Sequence, residues 1–209
     1  MDEIEELLSY LEGERDQEYI DSTRIYLSGL SKEKFESEKA NFLLGRKYEA
    51  NYKLARQQQP VEWEAIRKTA SKTNILIHIY NHTHETFSLI SSTWDGEPED
   101  FEIPPGNCYS LLLPNTLLRR TSSGKQAFQS SLISHTFTYS SGDYAFGFAT
   151  AMTLTNRGYE PFAFDAKSKV SRQHSIRSLG QREIRCQYAL EQNQSATPYS
   201  YALKIQIEY

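Results

Sequence analysis

Residues 74–80 read Asn-Ile-Leu-Ile-His-Ile-Tyr, and this stretch decides the fold class. Its β-branched and apolar side chains predict a strand, and the polar run Asn81-His-Thr-His84 after it predicts a turn. Alternating residues continue through Phe87 and Leu89 toward the turn dipeptide at 95–96, Asp-Gly. The chain therefore changes from a helical to a strand pattern near residue 74.

Short strands recur through the rest of the chain. Turn signals separate them, and no helical period lies between them, which is typical of a β-sandwich and not of alternating βαβ units. We therefore predict an α+β protein with an antiparallel β-sandwich at 74–209 and a helical N-terminal region at 1–73. The further strands are predicted at 108–113, 132–139, 144–155, 162–164, 182–190 and 199–209.

The N-terminal region begins with an amphipathic pattern. Ile4, Leu7, Leu8 and Leu11 fall on one stripe of a helix that Gly13 can end, with acidic residues on the other face. A second helix is predicted at 17–26 and a long one from residue 31 to residue 56. The Gln-Gln-Gln-Pro run at 57–60 predicts a stop, with a short helix at 61–69 beyond it.

Charge is distributed unevenly along the chain. The first 21 residues contain nine acids and a single arginine, a net charge of about −8, whereas 167–185 carries about +5. The two segments either attract each other or the basic one meets an anionic partner through Lys167, Lys169, Arg172 and Arg177. Nucleic acid is an unlikely partner because aromatic residues are not interleaved with these basic ones.

The composition also suggests where the protein resides. The sequence starts with no secretory signal and contains no run of 18 apolar residues. We therefore expect a soluble protein that is cytoplasmic or released by a non-classical route. Cys108 and Cys186 are too few for a disulfide-rich scaffold, and free thiols are favoured.

Motifs of catalysis and metal binding are weak. His78, His82 and His84 are close in sequence, but the turn between them would scatter the imidazoles, and no acid or cysteine completes a zinc spacing. The chain has no nucleophile elbow, phosphate loop or calcium-loop spacing. We expect no metal, no cofactor and no enzymatic activity.

Two aromatic residues in predicted loops favour an amphipathic surface instead. Trp94 and Tyr159 lie at or beside a turn, where a ring with an apolar body suits a bilayer interface or the face of a sugar. Phe162, at the start of the strand predicted at 162–164, is a third candidate lipid contact.

Two segments carry a resemblance to a known group of proteins. The first runs from residue 75, Ile-Leu-Ile-His-Ile-Tyr-Asn-His-Thr, through Phe87-Ser-Leu and Trp94-Asp-Gly to the Glu-Ile-Pro-Pro-Gly of residues 102–106. The second is the Thr-Tyr-Ser-Ser-Gly-Asp-Tyr-Ala-Phe-Gly-Phe of residues 138–148. Together they resemble the aegerolysins and the related actinoporin-like sandwiches over about two thirds of the chain.

The resemblance implies a membrane-active sandwich whose amphipathic first helix detaches and inserts, with oligomers forming on the lipid surface. Ile4, Leu7, Leu8 and Leu11 would insert, and Trp94, Tyr159 and Phe162 would contact lipid. The phosphocholine site of actinoporins is not carried over. Residues 149–159 contain neither its Ser-x-Pro step nor its cluster of aromatic rings.

Three functions stay open at this point. The first is a pore-forming, cytolysin-like protein. The second is a soluble protein-binding module, such as an inhibitor, an immunity protein or an assembly component, that uses the helical region. The third is a lectin-like, sugar-binding sandwich.

Overall fold

The computed structural model describes residues 3–69, 72–94, 101–115, 130–156, 168–196 and 198–209. Three helices precede a series of strands. They are α1 (Glu3–Ser9), α2 (Gln17–Ser28), α3 (Lys32–Arg67), β1 (Thr73–His82), β2 (Phe87–Ser92), β3 (Glu102–Ile103), β4 (Cys108–Asn115), β5 (Ser130–Ser141), β6 (Tyr144–Asn156), β7 (Ser168–Ser178), β8 (Arg185–Asn193) and β9 (Tyr201–Glu208).

The chain divides into two compact units, Met1–Arg46 and Lys47–Tyr209. The smaller, called the helical unit below, contains α1, α2 and the first part of α3. The larger contains the rest of α3 and all the described strands. The strands begin at Thr73, one residue before the predicted start at residue 74, and the division between the units falls inside α3.

Helix α3 is longer than the sequence predicts. The expected stop at 57–60 is wrong, because the helix continues through Pro60 to Arg67. Proline removes one backbone donor, which is tolerated when tertiary packing holds the adjacent turns. Gln59 and Ile66, on either side of Pro60, are both buried.

The strands form two sheets, with orders β4-β1-β9-β8 and β3-β2-β5-β6-β7. The predicted α+β class is confirmed, but one pair differs from the expected antiparallel pattern. β1 and β9 run parallel, with Ile75 opposite Tyr201 and Ile79 opposite Ile205. Two strands so distant in the sequence are not joined by a hairpin, so their direction is not fixed by a turn.

The main core lies between the two sheets. Ile77 of β1 and Ile205 of β9 are 1 % exposed or less, and they join Phe87, Tyr139 and Phe146 of the other sheet in one apolar cluster. Aromatic rings stack along the five-stranded sheet, with Tyr139 and Phe146 centroids 5.0 Å apart. The arrangement is therefore a β-sandwich.

Strand β1 is buried on both faces. Its odd-numbered residues face the sandwich core, while Leu76 packs with Ala202, Ile66 and Trp63 under α3. Burial on both sides explains why residues 74–80 form a nearly continuous apolar run without alternation.

Most predicted strands are confirmed within a few residues, but β7 was missed. Its sequence, Ser-Lys-Val-Ser-Arg-Gln-His-Ser-Ile-Arg-Ser, was interpreted only as part of a basic segment. Arg172 and His174 occupy inward positions of β7, and these polar residues break the alternation that identifies a strand. The strand predicted at 162–164 lies outside the described residues.

Candidate functional site

The helical unit is held together by local signals in the sequence. Gly13 adopts φ +84° in the turn after α1, a conformation that favours glycine. Asp16 caps α2, since its Oδ1 accepts a hydrogen bond of 2.9 Å from the backbone N–H of Tyr19. These residues fold α2 back beside α1.

A small apolar core joins the three helices of this unit. Leu8, Leu11 and Ile20 are buried, and Ile4 and Phe42 pack against them. The four residues expected to insert into a membrane, Ile4, Leu7, Leu8 and Leu11, are therefore packed inside the unit, and Leu7 is only 4 % exposed. Their insertion stays a prediction.

Ion pairs surround this core. Glu5 pairs with Arg24 at 2.9 Å and Glu3 with Lys39 at 3.0 Å, while Glu14 contacts Arg46. Pairs exposed in this way contribute little stability, about 0–1 kcal/mol each. They place α1 against both neighbouring helices.

The helical unit contains a groove of about 210 Å³. Its walls are mostly apolar and aromatic, and the lining side chains include Leu7, Leu11, Tyr19, Tyr26, Leu27 and Phe42. Tyr19 and Tyr26 remain 48 % and 55 % exposed, so their rings are accessible to a partner. We call this feature the helical groove.

One acidic side chain lines the helical groove, and further acids are exposed on the helices that form it. Glu38 lines it and makes no ion pair with any described residue. Glu6 and Glu18 are exposed on α1 and α2. An apolar slot inside an acidic surface suits an apolar side chain flanked by basic residues.

The expected lipid-contacting residues are only partly described. Trp94 is partly buried and packs against the sandwich core, and its backbone N–H donates to Ser92 Oγ at 2.9 Å. Tyr159 and Phe162 lie outside the described residues.

The expected basic patch is divided between two faces of β7. Lys169 and Arg177 are exposed, whereas Arg172 faces the sandwich interior, so the three do not share one surface. Lys167 lies outside the described residues. Because side chains alternate along a strand, residues 169 and 177 lie on one face of β7 and residue 172 lies on the other.

The three nearby histidines have separate environments. His82 stacks on Tyr48 with ring centroids 4.2 Å apart, and His84 lies 6.3 Å from Tyr209. His78 is 2 % exposed beneath α3. No group of three potential metal ligands occurs within the part of the chain that the structure describes.

His78 instead belongs to a buried polar cluster between α3 and the four-stranded sheet. Its Nε2 lies 2.8 Å from Glu62 Oε2, and its Nδ1 lies 3.6 Å from Glu191 Oε2. Gln59 also donates to Glu191, and Arg56 lies 3.6 Å from it. We call these five residues the His78 cluster.

The two carboxylates favour the protonated, charged form of His78. Burial alone lowers the pKa of His78, but the negative charges of Glu191 and Glu62 and the hydrogen bond to Glu62 outweigh burial, so the pKa lies above its ordinary value. No local sequence pattern signals the cluster, because Glu62 and Glu191 lie far from His78 along the chain.

Both cysteines are free thiols and half-buried. Burial raises the pKa of Cys108 to about 12 and that of Cys186 to about 11, which makes both poor nucleophiles.

Comparison with known proteins adds no family to this description. No protein-family model and no curated protein matches the sequence. Among the described helices, none has the length and apolar character needed to cross a bilayer.

Proposed function

We propose that this chain is a binding protein, without catalytic activity, that captures another protein through the helical groove. The observation that carries the proposal is a groove lined by Leu7, Leu27 and Phe42 beside two half-exposed tyrosines. Rings of this kind supply much of the binding energy in protein interfaces.

The chemistry of the partner follows from the charge around the groove. Glu38, together with the exposed Glu6 and Glu18, makes no ion pair with any described residue, and these carboxylates favour a basic segment. One large apolar or aromatic side chain of that segment fills the groove. Its flanking lysines or arginines meet Glu38 and the exposed acids of α1 and α2.

A peptide selection on the full-length chain tests this proposal. A random dodecapeptide library displayed on phage is selected on the immobilised protein and counter-selected on Thr23→Trp. Thr23 lines the groove, so the indole fills it while the apolar core stays intact. Ser22→Trp is the matched control, because Ser22 is exposed on the same helix and does not line the groove.

Selected peptides should carry one large apolar residue next to lysine or arginine. We expect them to bind the wild type and Ser22→Trp within twofold, and to bind Thr23→Trp at least tenfold more weakly. Glu38→Lys should weaken binding about threefold or more. Absence of enrichment, or equal binding to Thr23→Trp, would refute the proposal.

A membrane-active function is the second candidate. Ile25 and Tyr26 are 73 % and 55 % exposed on α2, and an exposed apolar side chain beside an aromatic ring suits a bilayer interface. The actinoporin-like resemblance of the sequence supports this candidate. Release of α1 would expose Leu7, Leu8 and Leu11 to water. Each exposed side chain costs about 1.5–3 kcal/mol, and its transfer into lipid would have to offset that cost.

Dye release from liposomes separates the two candidates. Vesicles of phosphatidylcholine, with and without phosphatidylserine or sphingomyelin and cholesterol, are mixed with the wild type and with Ile25→Glu. Membrane activity predicts release by the wild type that falls at least fivefold for Ile25→Glu. If none of these vesicles leaks, the membrane candidate is wrong and partner binding is unaffected.

A further inference from the structure

The inward face of β7 carries two polar side chains, Arg172 and His174, between apolar ones. Val170 and Ile176 pack against the core, but Arg172 and His174 lie between them on the same face. They are opposite Met152 and Thr150 of β6. Polar groups in such a position need partners, because a buried donor without an acceptor destabilises the fold.

A chain of hydrogen bonds fixes the protonation of His174. Thr150 Oγ1 lies 2.8 Å from Tyr201 Oη and 2.9 Å from His174 Nδ1. Among the described residues, Tyr201 Oη has Thr150 Oγ1 as its hydrogen-bond partner. We assign the direction in which Tyr201 donates to Thr150 and Thr150 donates to Nδ1, because the reverse direction would leave the buried Tyr201 hydroxyl without an acceptor among these residues. Burial and the charge of Arg172 lower the pKa of His174, which keeps it neutral. Its hydrogen is therefore on Nε2.

This Nε2–H is a donor that meets no acceptor in the described part of the chain, although the atom is buried. Arg172 provides a second such donor, since its Nε is also buried and has no partner there. The two donors are two residues apart on the same face of one strand.

Arg172 also carries an unbalanced charge. Its Nη2 donates to the carbonyls of Gln194 at 2.9 Å and Tyr199 at 3.0 Å, and no carboxylate pairs with it among the described residues. Tyr199 has φ +64°, an unfavourable conformation for a tyrosine that places its carbonyl on the guanidinium. One half-buried positive charge therefore remains without a counter-charge.

Strand β8 lies across from these residues, and two of its inward-facing side chains remain exposed to solvent. Tyr188 and Leu190 face inward, because they are opposite Ile205 and Leu203 of β9. Their partners are 1 % and 2 % exposed, whereas Tyr188 and Leu190 are 46 % and 42 % exposed. The ring centroids of Tyr188 and His174 are 5.9 Å apart. The edge between β7 and β8 thus combines an accessible apolar wall with two unpaired donors and a cation.

We propose that this edge, which we call the β7–β8 cleft, binds a small monocarboxylate with an aromatic or apolar body. The carboxylate accepts from His174 Nε2 and Arg172 Nε and balances the guanidinium. The body packs against Tyr188 and Leu190. A single carboxylate fits better than a dianion, because His174 is neutral and Arg172 is the one cation among the residues that the structure describes in the cleft.

Sodium benzoate and uncharged benzamide form a matched pair of probes. The full-length protein, labelled with ¹⁵N-histidine, is titrated with each, and the His174 signals are assigned from a His174→Gln sample. We expect benzoate to shift the Nε2 resonance saturably, with a Kd of about 1–10 mM, a reasonable affinity for nine non-hydrogen atoms. Benzamide should bind at least tenfold more weakly.

Two variants test the apolar wall. Tyr188→Ala should weaken benzoate binding at least fivefold, and this half-exposed position should tolerate the change without unfolding. Leu132→Ala is the control, because Leu132 is 67 % exposed on the outer face of β5 and should leave the Kd unchanged. The proposal is overturned if benzoate gives no shift up to 100 mM, if benzamide binds equally well, or if Tyr188→Ala has no effect.

Discussion

Replacement of Glu191 by glutamine should destabilise the larger unit at low pH and not at high pH. Glu191 is 11 % exposed and is one of two carboxylates on either side of His78. The pKa of His78 is raised in the folded state, so its protonated form contributes stability that is fully present below the unfolded pKa of about 6.5. That contribution is lost as pH rises through the folded pKa.

The size of the effect follows from the contact that is removed. The His78–Glu191 contact is an ion pair at 3.6 Å and not a hydrogen bond. Two opposite charges about 4 Å apart attract by about 1 kcal/mol in water and about 4 kcal/mol at an effective dielectric constant of about 20, so Glu191→Gln should lower the free energy of unfolding by about 1.5–3 kcal/mol at pH 6. For a domain of this size, the loss corresponds to a fall in Tm of about 3–12 °C. Near pH 9 His78 is neutral, and most of the difference should disappear.

Urea denaturation followed by tryptophan fluorescence measures this directly. Trp63 and Trp94 are the two tryptophans of the chain, and both belong to the larger unit. Glu64→Gln is the control, since Glu64 is exposed on α3 and contacts Arg67 at 3.5 Å, and it should change stability by less than about 0.5 kcal/mol. An equal loss for Glu191→Gln at pH 6 and pH 9 would show that His78 carries no charge in the cluster.

Three further changes test the packing of the sandwich. Gly180→Ala would place a Cβ 2.3 Å from a carbonyl oxygen of the β5–β6 turn, so we expect a loss of about 3 kcal/mol or more. Gly142→Ala, at φ +54° in open space, should cost only about 1 kcal/mol; similar Tm values for the two variants would contradict this. Asn81 is fully buried and donates to three backbone carbonyls at 2.7, 2.9 and 3.1 Å, so Asn81→Ala should lower stability by about 2–4 kcal/mol in thermal melts. Because burial raises their pKa values, Cys108 and Cys186 should react with the thiol reagent DTNB at pH 8 only after denaturation, and rapid reaction of the native protein would show that these thiols are accessible.

The helical groove was only partly predictable. The sequence predicts that Leu7, Leu8 and Leu11 share the apolar face of a helix, because a 3.6-residue period is a local property of the sequence. The sequence could not show that α2 and α3 cover this stripe and leave Tyr19 and Tyr26 half-exposed. That outcome depends on how the three helices pack.

The β7–β8 cleft could not be predicted at all. Arg172 was grouped with Lys169 and Arg177 because the three are close in sequence and carry the same charge. Its burial depends on carbonyls at residues 194 and 199, which β7 meets only in the folded sandwich.

The sequence by itself determined the helical start, the change to strands near residue 74 and the position of most strands, because hydrophobic period and turn residues act over a few neighbours. Tertiary structure decided the parallel pairing of β1 with β9, the passage of α3 through Pro60 and the pairing of His78 with Glu62 and Glu191. Each of these depends on contacts between residues far apart along the chain. Such contacts form because they bury apolar surface and pair charges in the folded protein. No local sequence pattern predicts them.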